Sequence, residues 1–438
     1  MLKHLIIFIL LYSTTALVTA APTIEHWKTT NGVRVYFVPA PELPMIDVRV
    51  VFDAGSARDP QDKYGIATLT NSLLNEGAGG LSSDKIAEQF DSIGAQFSNG
   101  VDKDMANVGL RSLTETQLLD PALTLFTTVL TQPEFQQTNF ERIRQQMLIS
   151  LKYQEQSPAS VANDIFYKTL YGSHPYAIDT QGTTASVTTL TLEDVKQFYR
   201  RYYVAQNAIV AIVGAIDKAQ AETLAERVTK SLPAGETAPK LPQPAELTEA
   251  KIIRLQHPAT QTTVYAGQLG VARGDPDYFS LYVGNHILGG SGLVSRLSEQ
   301  IREKRGLVYG TNCYFYPNRV PGAFVLTLQT RNDQADTALQ VAMETVQQFI
   351  STGPTEAELT AAKQNIIGGF PLRIDSNKEK LGYIAMIGFY ELPLDYLEQF
   401  PTRIEAVTVE SIKTAFSHKI HPDKLLTVLV GGNKQPEK

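Results

Sequence analysis

Between residues 46 and 52 (IDVRVVF) apolar and polar positions alternate in part, the period of a half-buried strand. Residues 208–213 (AIVAIV) and 425–430 (LLTVLV) are β-rich runs that read as strands closing a unit. Other stretches repeat at the helical period. Ile86, Phe90 and Ile93 share one helical face, with Ser83 placed to cap its start and Gly94 to stop it. Leu119, Ala122, Phe126 and Val129 form a second such stripe. Strands cluster with helical blocks between them, which predicts α+β layers rather than a regular βαβ alternation.

The pattern occurs twice. Residues 191–196 (TLEDVK) are echoed by residues 408–413 (TVESIK), and Val213-Gly214 by Val430-Gly431, all at an offset of 217. Near the start of each half, residues 55–58 (GSAR) are echoed by residues 270–273 (GVAR) at an offset of 215. Matches at both ends with nearly equal offsets indicate a duplicated unit of about 200 residues, an ordinary domain size. Between the copies, residues 232–244 (LPAGETAPKLPQP) hold four prolines in thirteen positions, which favours an extended, semi-rigid linker. The expected division is a first unit over 21–231, a linker over 232–247 and a second unit over 248–438.

The first twenty residues are set apart from this. A short cationic start leads into an apolar core, and small residues suited to cleavage after Ala20 follow, as in a secretory signal peptide. The apolar run falls short of the roughly 20 residues a membrane anchor needs, and no later stretch reaches that length. The expectation is an exported chain with no stable membrane insertion.

Composition narrows the chemistry. Of 438 residues, 43% are apolar and 19% charged, enough core material for two or three globular domains at roughly 150 residues each. The net charge is −6, from 39 basic and 45 acidic residues with no long basic run, which argues against nucleic acid as a partner. One cysteine, Cys313, excludes an internal disulfide, an all-cysteine zinc site and an iron–sulfur cluster held by this chain alone. A metal would have to draw on seven histidines and on carboxylates. Those histidines offer little: His174 reads as a turn residue, His286 as a packed one, and His418 and His421 have no nearby acid to complete a site. Cys313 has no local partner and reads as buried.

Two segments could carry chemistry. In residues 65–77 (GIATLTNSLLNEG), Ile66, Leu69, Leu73 and Leu74 share one helical face. Thr68, Asn71, Ser72 and Asn75 share another. An H-x-x-E-H zinc hydrolase uses this spacing, but Thr, Asn and Ser are poor zinc ligands and none is a general base near neutral pH. On composition alone the better reading is an ordinary amphipathic helix with a solvated face. In residues 287–309 (ILGGSGLVSRLSEQIREKRGLVY), the glycine run lacks the order of a phosphate loop or dinucleotide site and reads as a flexible lead into a helix. That helix buries Leu297 and Ile301, carries Arg302, Lys304 and Arg305 in its last turn, and stops at Gly306. Cations there suit the helix dipole, while an arginine and a nearby tyrosine hydroxyl could also donate to a peptide carbonyl or its oxyanion.

Together these segments resemble the pitrilysin/insulinase-like metallopeptidases, in the branch that includes the mitochondrial processing peptidase. The resemblance runs from about residue 26 to 432. Its most specific element is L-S-E-Q-I-R-E-K-R-G-L-V-Y at 297–309, preceded by I-L-G-G-S-G. Gly65-Ile66-Ala67, residues 171–176 (YGSHPY) and the stretch from Glu193 through Phe198-Tyr199 to Asn207 support it. It implies two homologous α+β domains, each an antiparallel sheet covered by helices, facing each other across a chamber. The family's inverted zinc motif would fall on Thr68, Asn71 and Ser72, and its further glutamate ligand at about Ile149, so both histidines, the base and the glutamate are all replaced. The family's substrate-binding Arg and Tyr, seven residues apart, correspond to Arg302 and Tyr309, with Arg305 a competitor for the arginine's role. The resemblance therefore implies a chain that binds no cofactor itself. Its partner would be a zinc-bearing homologous subunit, forming a heterodimer in the periplasm that acts on peptide substrates, with Arg302 and Tyr309 reaching the partner's site. The alternative is a stand-alone peptide-binding or chaperone-like protein.

Overall fold

The computed structural model describes residues 22–432, so the signal-peptide reading of 1–20 lies outside the described residues. Its strands are β1 (Glu25–Lys28), β2 (Arg34–Pro39), β3 (Met45–Phe52), β4 (Gly77–Ala78), β5 (Leu81–Ser82), β6 (Gln96–Val101), β7 (Ala106–Leu113), β8 (Ala208–Gly214), β9 (Lys251–Leu255), β10 (Gln261–Leu269), β11 (Val308–Phe315), β12 (Ala323–Arg331) and β13 (Leu426–Val430). One sheet runs β1-β2-β8-β3-β7-β6, and a second runs β9-β13-β10-β12-β11. Apart from β1, order and sense are the same. Each closing strand, β8 or β13, lies parallel to its unit's first strand and antiparallel to its other neighbour. The expected antiparallel sheets thus each contain one parallel pair. That pair follows from the chain's return through a long helical crossover before the closing strand enters.

The sequence echoes have local causes. Thr191 and Thr408 both cap helices, Leu192–Tyr202 and Val409–Lys419, through reciprocal boxes with Asp194 and Ser411. Gly214 and Gly431 end the two closing strands where a Cβ would lie 2.6 Å from the Met45 carbonyl oxygen in one copy and 2.5 Å from the Thr262 Cα in the other. Ser82 rather than Ser83 caps the Ser83–Ser92 helix.

Each sheet buries both faces, and the two faces are covered by different halves of the chain. Val35, Phe37, Val48, Val50, Val210 and Ile212 pack beneath helices of the first unit. The opposite face, with Tyr36, Val38, Val51, Ile209 and Val213, lies in one core with Leu381, Ile384 and Ile387 of the Asn377–Tyr390 helix from the second unit. Reciprocally, Ala162, Phe166 and Leu170 of the Pro158–Tyr171 helix lie against Leu426, Val428 and Val430 of β13. The helices are exchanged. Close approach is built in: a Cβ at Gly388 would meet the Tyr36 ring at 2.5 Å.

Where the halves meet, Asp104 is 2% exposed and accepts from the Tyr390 hydroxyl at 2.8 Å, the Arg319 N–H at 2.8 Å and the Tyr176 hydroxyl. Beside it the space between the domains is a cavity of about 470 Å³ with Lys103, Tyr167, Tyr171, Tyr316 and Tyr390 in its walls. No helix or strand lies between Thr229 and Lys251, and this connection is docked on the first unit. Arg58 donates to the Pro239 carbonyl at 2.6 Å, Ala238 N–H to the Asn207 carboxamide at 2.9 Å, and the His174 ring to the Pro242 carbonyl at 3.1 Å. Among the described residues no helix is long and apolar enough to cross a membrane.

Candidate functional site

The family's metal position falls on the short helix Ile66–Ser72. Gly65 starts it at φ +93°, and the N–H groups of Gly65 and Ala67 donate to the Asp59 carboxyl at 2.6 and 3.0 Å. Burial pushes that carboxyl up to about 8, against the pull of the two N–H groups and of Lys103. The helix is shorter than its apolar pattern implies, and Asn75 lies beyond its end. The Asn71 carbonyl accepts from Asn99 at 2.7 Å as the chain turns into the β4–β5 hairpin.

The side chains at this position are committed elsewhere. Thr68 donates to the Thr180 carbonyl at 2.6 Å, and Asn71, 2% exposed, donates to the Tyr203 hydroxyl at 3.1 Å and the Asn107 carbonyl at 3.3 Å. Ser72 is half-buried. Ile149, on the Gln137–Gln154 helix, is 55% exposed and offers no donor atom. These residues do not fit a zinc ion: the two amide and hydroxyl groups nearest to ligands already serve protein carbonyls. Among the described residues no group of three His, Cys, Asp or Glu side chains is placed to hold a metal.

The second segment is organised differently. The helix Tyr278–Asn285 continues as a π-helical turn over His286–Gly290, so Gly289 and Gly290 are helical, while Gly292, at φ +65°, opens the exposed stretch that follows. Gly289 is required by contact, since a Cβ there would lie 2.6 Å from the Cys313 sulfur. Cys313 is itself fully buried, beside Asn285. Arg296 then pins the chain, chelating Glu358 through two contacts of 2.6 Å and lying 5.0 Å from the Phe349 ring. The Arg296 guanidinium holds the Glu358 carboxyl down at about 2. Because this lies below the usual value of 4.5, the pair's contribution to stability is complete above pH 4.5 and fades as pH falls toward 2. Glu358→Gln should therefore lower the urea midpoint at pH 6, and the gap to wild type should close near pH 2. A gap that stays constant with pH would contradict this.

A second π-helical turn, Ser298–Glu303, buries Leu297 and Ile301 completely and carries Arg302. Gly306, at φ +60°, turns the chain into β11. There Val308 pairs with Thr330 and Gly310 with Gln329, so Tyr309 is the extra residue of a β-bulge and stands 86% exposed. The Arg302 guanidinium lies 5.5 Å from the Tyr309 ring centre. Glu303 approaches Arg302 at 3.4 Å but is mostly exposed, a weak tie. Arg305 turns back to the Gln300 carbonyl at 2.7 Å, so of the two arginines Arg302 is the one beside Tyr309. The result is two hydrogen-bond donors on an exposed sheet edge, held by a buried anchor. The Asp104 cluster at the domain seam escapes sequence reading, because its members are scattered and none belongs to a motif.

A family model described as insulinase, peptidase family M16, matches residues 34–184, and one described as the peptidase M16 inactive domain matches residues 189–366. The crystal structure of a peptidase M16 inactive domain from Pseudomonas fluorescens superposes with a TM-score of 0.91 at 40% identity, covering 94% of this chain and 98% of that one. A Helicobacter pylori protein named non-peptidase homolog YmxG is 25% identical over 90% of this chain and 91% of its own length. A Bacillus subtilis protein named uncharacterized zinc protease YmxG is 24% identical, over 94% and 100% respectively.

Proposed function

Because the chain belongs to peptidase family M16 yet has no zinc-ligand set at the family's metal position, we propose that it is the substrate-binding, non-catalytic subunit of a periplasmic heterodimeric zinc peptidase. The observation that carries the reading is the outward-facing Arg302/Tyr309 pair, which a purely structural helix end would not need to expose. The Pseudomonas fluorescens and Helicobacter pylori relatives, described as an inactive domain and a non-peptidase homolog, support it.

In this reading a zinc-bearing homologue supplies the metal-activated water. This chain contributes only donors. Arg302, always charged, and the Tyr309 hydroxyl hydrogen-bond the carbonyl oxygens of an extended peptide and stabilise the charge that develops on the attacked one. The buried Leu297 and Ile301 and the pairing of β11 with β12 fix the backbone that carries both donors.

The test is an assay of the purified chain with unstructured peptides, alone and mixed with the zinc-bearing M16 homologue of the same organism. The expected result is no cleavage by the chain alone and chelator-sensitive cleavage by the mixture, above that of the homologue by itself. Robust chelator-sensitive cleavage by this chain alone would sink the assignment, as would a mixture no faster than the homologue.

A further inference from the structure

Arg58 and Arg273 occupy the same place in the two copies and are treated differently. Asp53 chelates Arg58 through contacts of 2.6 and 2.9 Å. At the same offset of 215, the position of Asp53 is taken by Gln268, whose amide serves the carbonyls of Lys419 at 2.7 Å and Leu269 at 3.1 Å. The second copy has the arginine without the acid. Among the described residues Arg273 forms no ion pair, and its buried Nε has no hydrogen-bond partner. Asp102, the acid that feels its charge from the seam side, is already accepting from the N–H groups of Asp104 and Met105 at 2.8 and 2.7 Å.

Arg273 lies between the interdomain cavity, where its guanidinium is 5.6 Å from the Tyr390 ring centre, and a second cavity of about 260 Å³ within the second domain. Arg373 stands at its mouth, bonded to the Tyr282 hydroxyl and likewise without a carboxylate partner among the described residues. His286 joins the wall, and burial and then the charge of Arg373 lower its pKa below the usual imidazole value. No aspartate or glutamate lines this cavity, while Tyr278, Tyr282 and Phe315 give it aromatic walls. Two arginines thus border a cavity that has no carboxylate in its walls, so an anion entering it meets two cations and no competing acid. Guanidinium forks match a carboxylate's two oxygens in particular. The volume falls below the roughly 300–1,000 Å³ of sites that enclose a whole small ligand, so it suits one terminal residue of something longer.

We propose that this cavity binds the C-terminal carboxylate of a peptide, with the last side chain against the aromatic walls. Only the choice of a peptide rests on the function proposed above; the anion site stands on the arginines.

The test is calorimetric titration of the full chain, without any partner, using a short peptide ending in phenylalanine as the free acid, the same peptide as its C-terminal amide, and 3-phenylpropionate. The acid should bind at least about tenfold more tightly than the amide, the scale of one charge-assisted hydrogen bond. Arg273→Gln and Arg373→Gln should each erase that preference, and Arg200→Gln, at a surface arginine of the first unit paired with Glu193, should leave it intact. Arg373 is exposed, so its variant keeps the fold even if Arg273→Gln does not. Equal binding of acid and amide, or a preference that survives Arg373→Gln, overturns the site. Phenylpropionate binding as tightly as the peptide acid overturns its assignment to peptides. Because no partner and no turnover enter the measurement, failure of the heterodimer reading would leave this result unaffected.

Discussion

Arg302→Ala and Tyr309→Phe should each lower the mixed enzyme's kcat by about 10²–10³-fold, the usual loss on removing one donor to a developing oxyanion. Neither change should dissociate the subunits. Tyr309→Phe removes a single oxygen from a side chain that is 86% exposed and leaves its ring beside Arg302. Arg302→Ala also strips the cation from that ring, so it should raise KM as well. Arg305→Ala serves as the control, since Arg305 is held by its own turn through Gln300. The measurement is steady-state cleavage of an internally quenched peptide, with size-exclusion chromatography to confirm association. A loss with Arg305→Ala equal to that with Arg302→Ala would transfer the role to Arg305. No loss in any of the three would place the pair outside the reaction.

The second large effect concerns the exchanged helices. Phe166 has no exposed surface, lies 5.9 Å from the Tyr265 ring, and has its Cζ 2.9 Å from where a Cβ on Gly267 would be. Phe166→Ala empties a fully buried aromatic site and should cost about 3–5 kcal/mol. The helix belongs to the first unit and the sheet to the second, so the loss falls on the joint between them. The chain has one tryptophan, Trp27, on β1 of the first sheet, whose fluorescence follows that unit alone. In wild type its urea transition should coincide with that of far-UV circular dichroism, because neither sheet is covered without the other half. In Phe166→Ala both should move together to lower urea. A shift below about 1 kcal/mol would mean that the site collapses around the deletion or that the helix is not a structural tie.

The sequence carried the architecture where a local rule had to be obeyed twice. The closing strands were legible because β8 and β13 are covered on both faces and so are apolar almost throughout, Thr427 being the one exception between them. The echo of residues 191–196 in 408–413 was legible, and its cause is a capping box that four residues contain whole. The buried faces at Phe126 and Val129 followed from period alone. What could not be read is which sheet a helix covers: the Pro158–Tyr171 pattern states that one face is apolar and nothing about the partner face. Bulges and π-turns also lack a periodic signature, so the exposure of Tyr309 had to come from the register of β11. At the metal position the residue types spoke clearly, and the structure added where the hydroxyl of Thr68 and the amide of Asn71 are directed. The unpaired Arg273 was within reach, because the 215-residue echo sets it against Arg58, and the change from Asp53 to Gln268 marks the difference.

The exchange of helices bears on what one copy could do by itself. A single copy of the repeat, standing alone, would leave the face bearing Tyr36, Val51 and Ile209 open to water, with its own long helix extended and unpartnered. Two copies satisfy each other. Neither copy covers its own sheet, so an isolated copy would need a second one to bury that face, and the proline-rich connection at 232–244 holds the two in one chain. Within one chain the two copies need not be identical, and they differ at the position of the acid that precedes the shared arginine, Asp53 in one and Gln268 in the other.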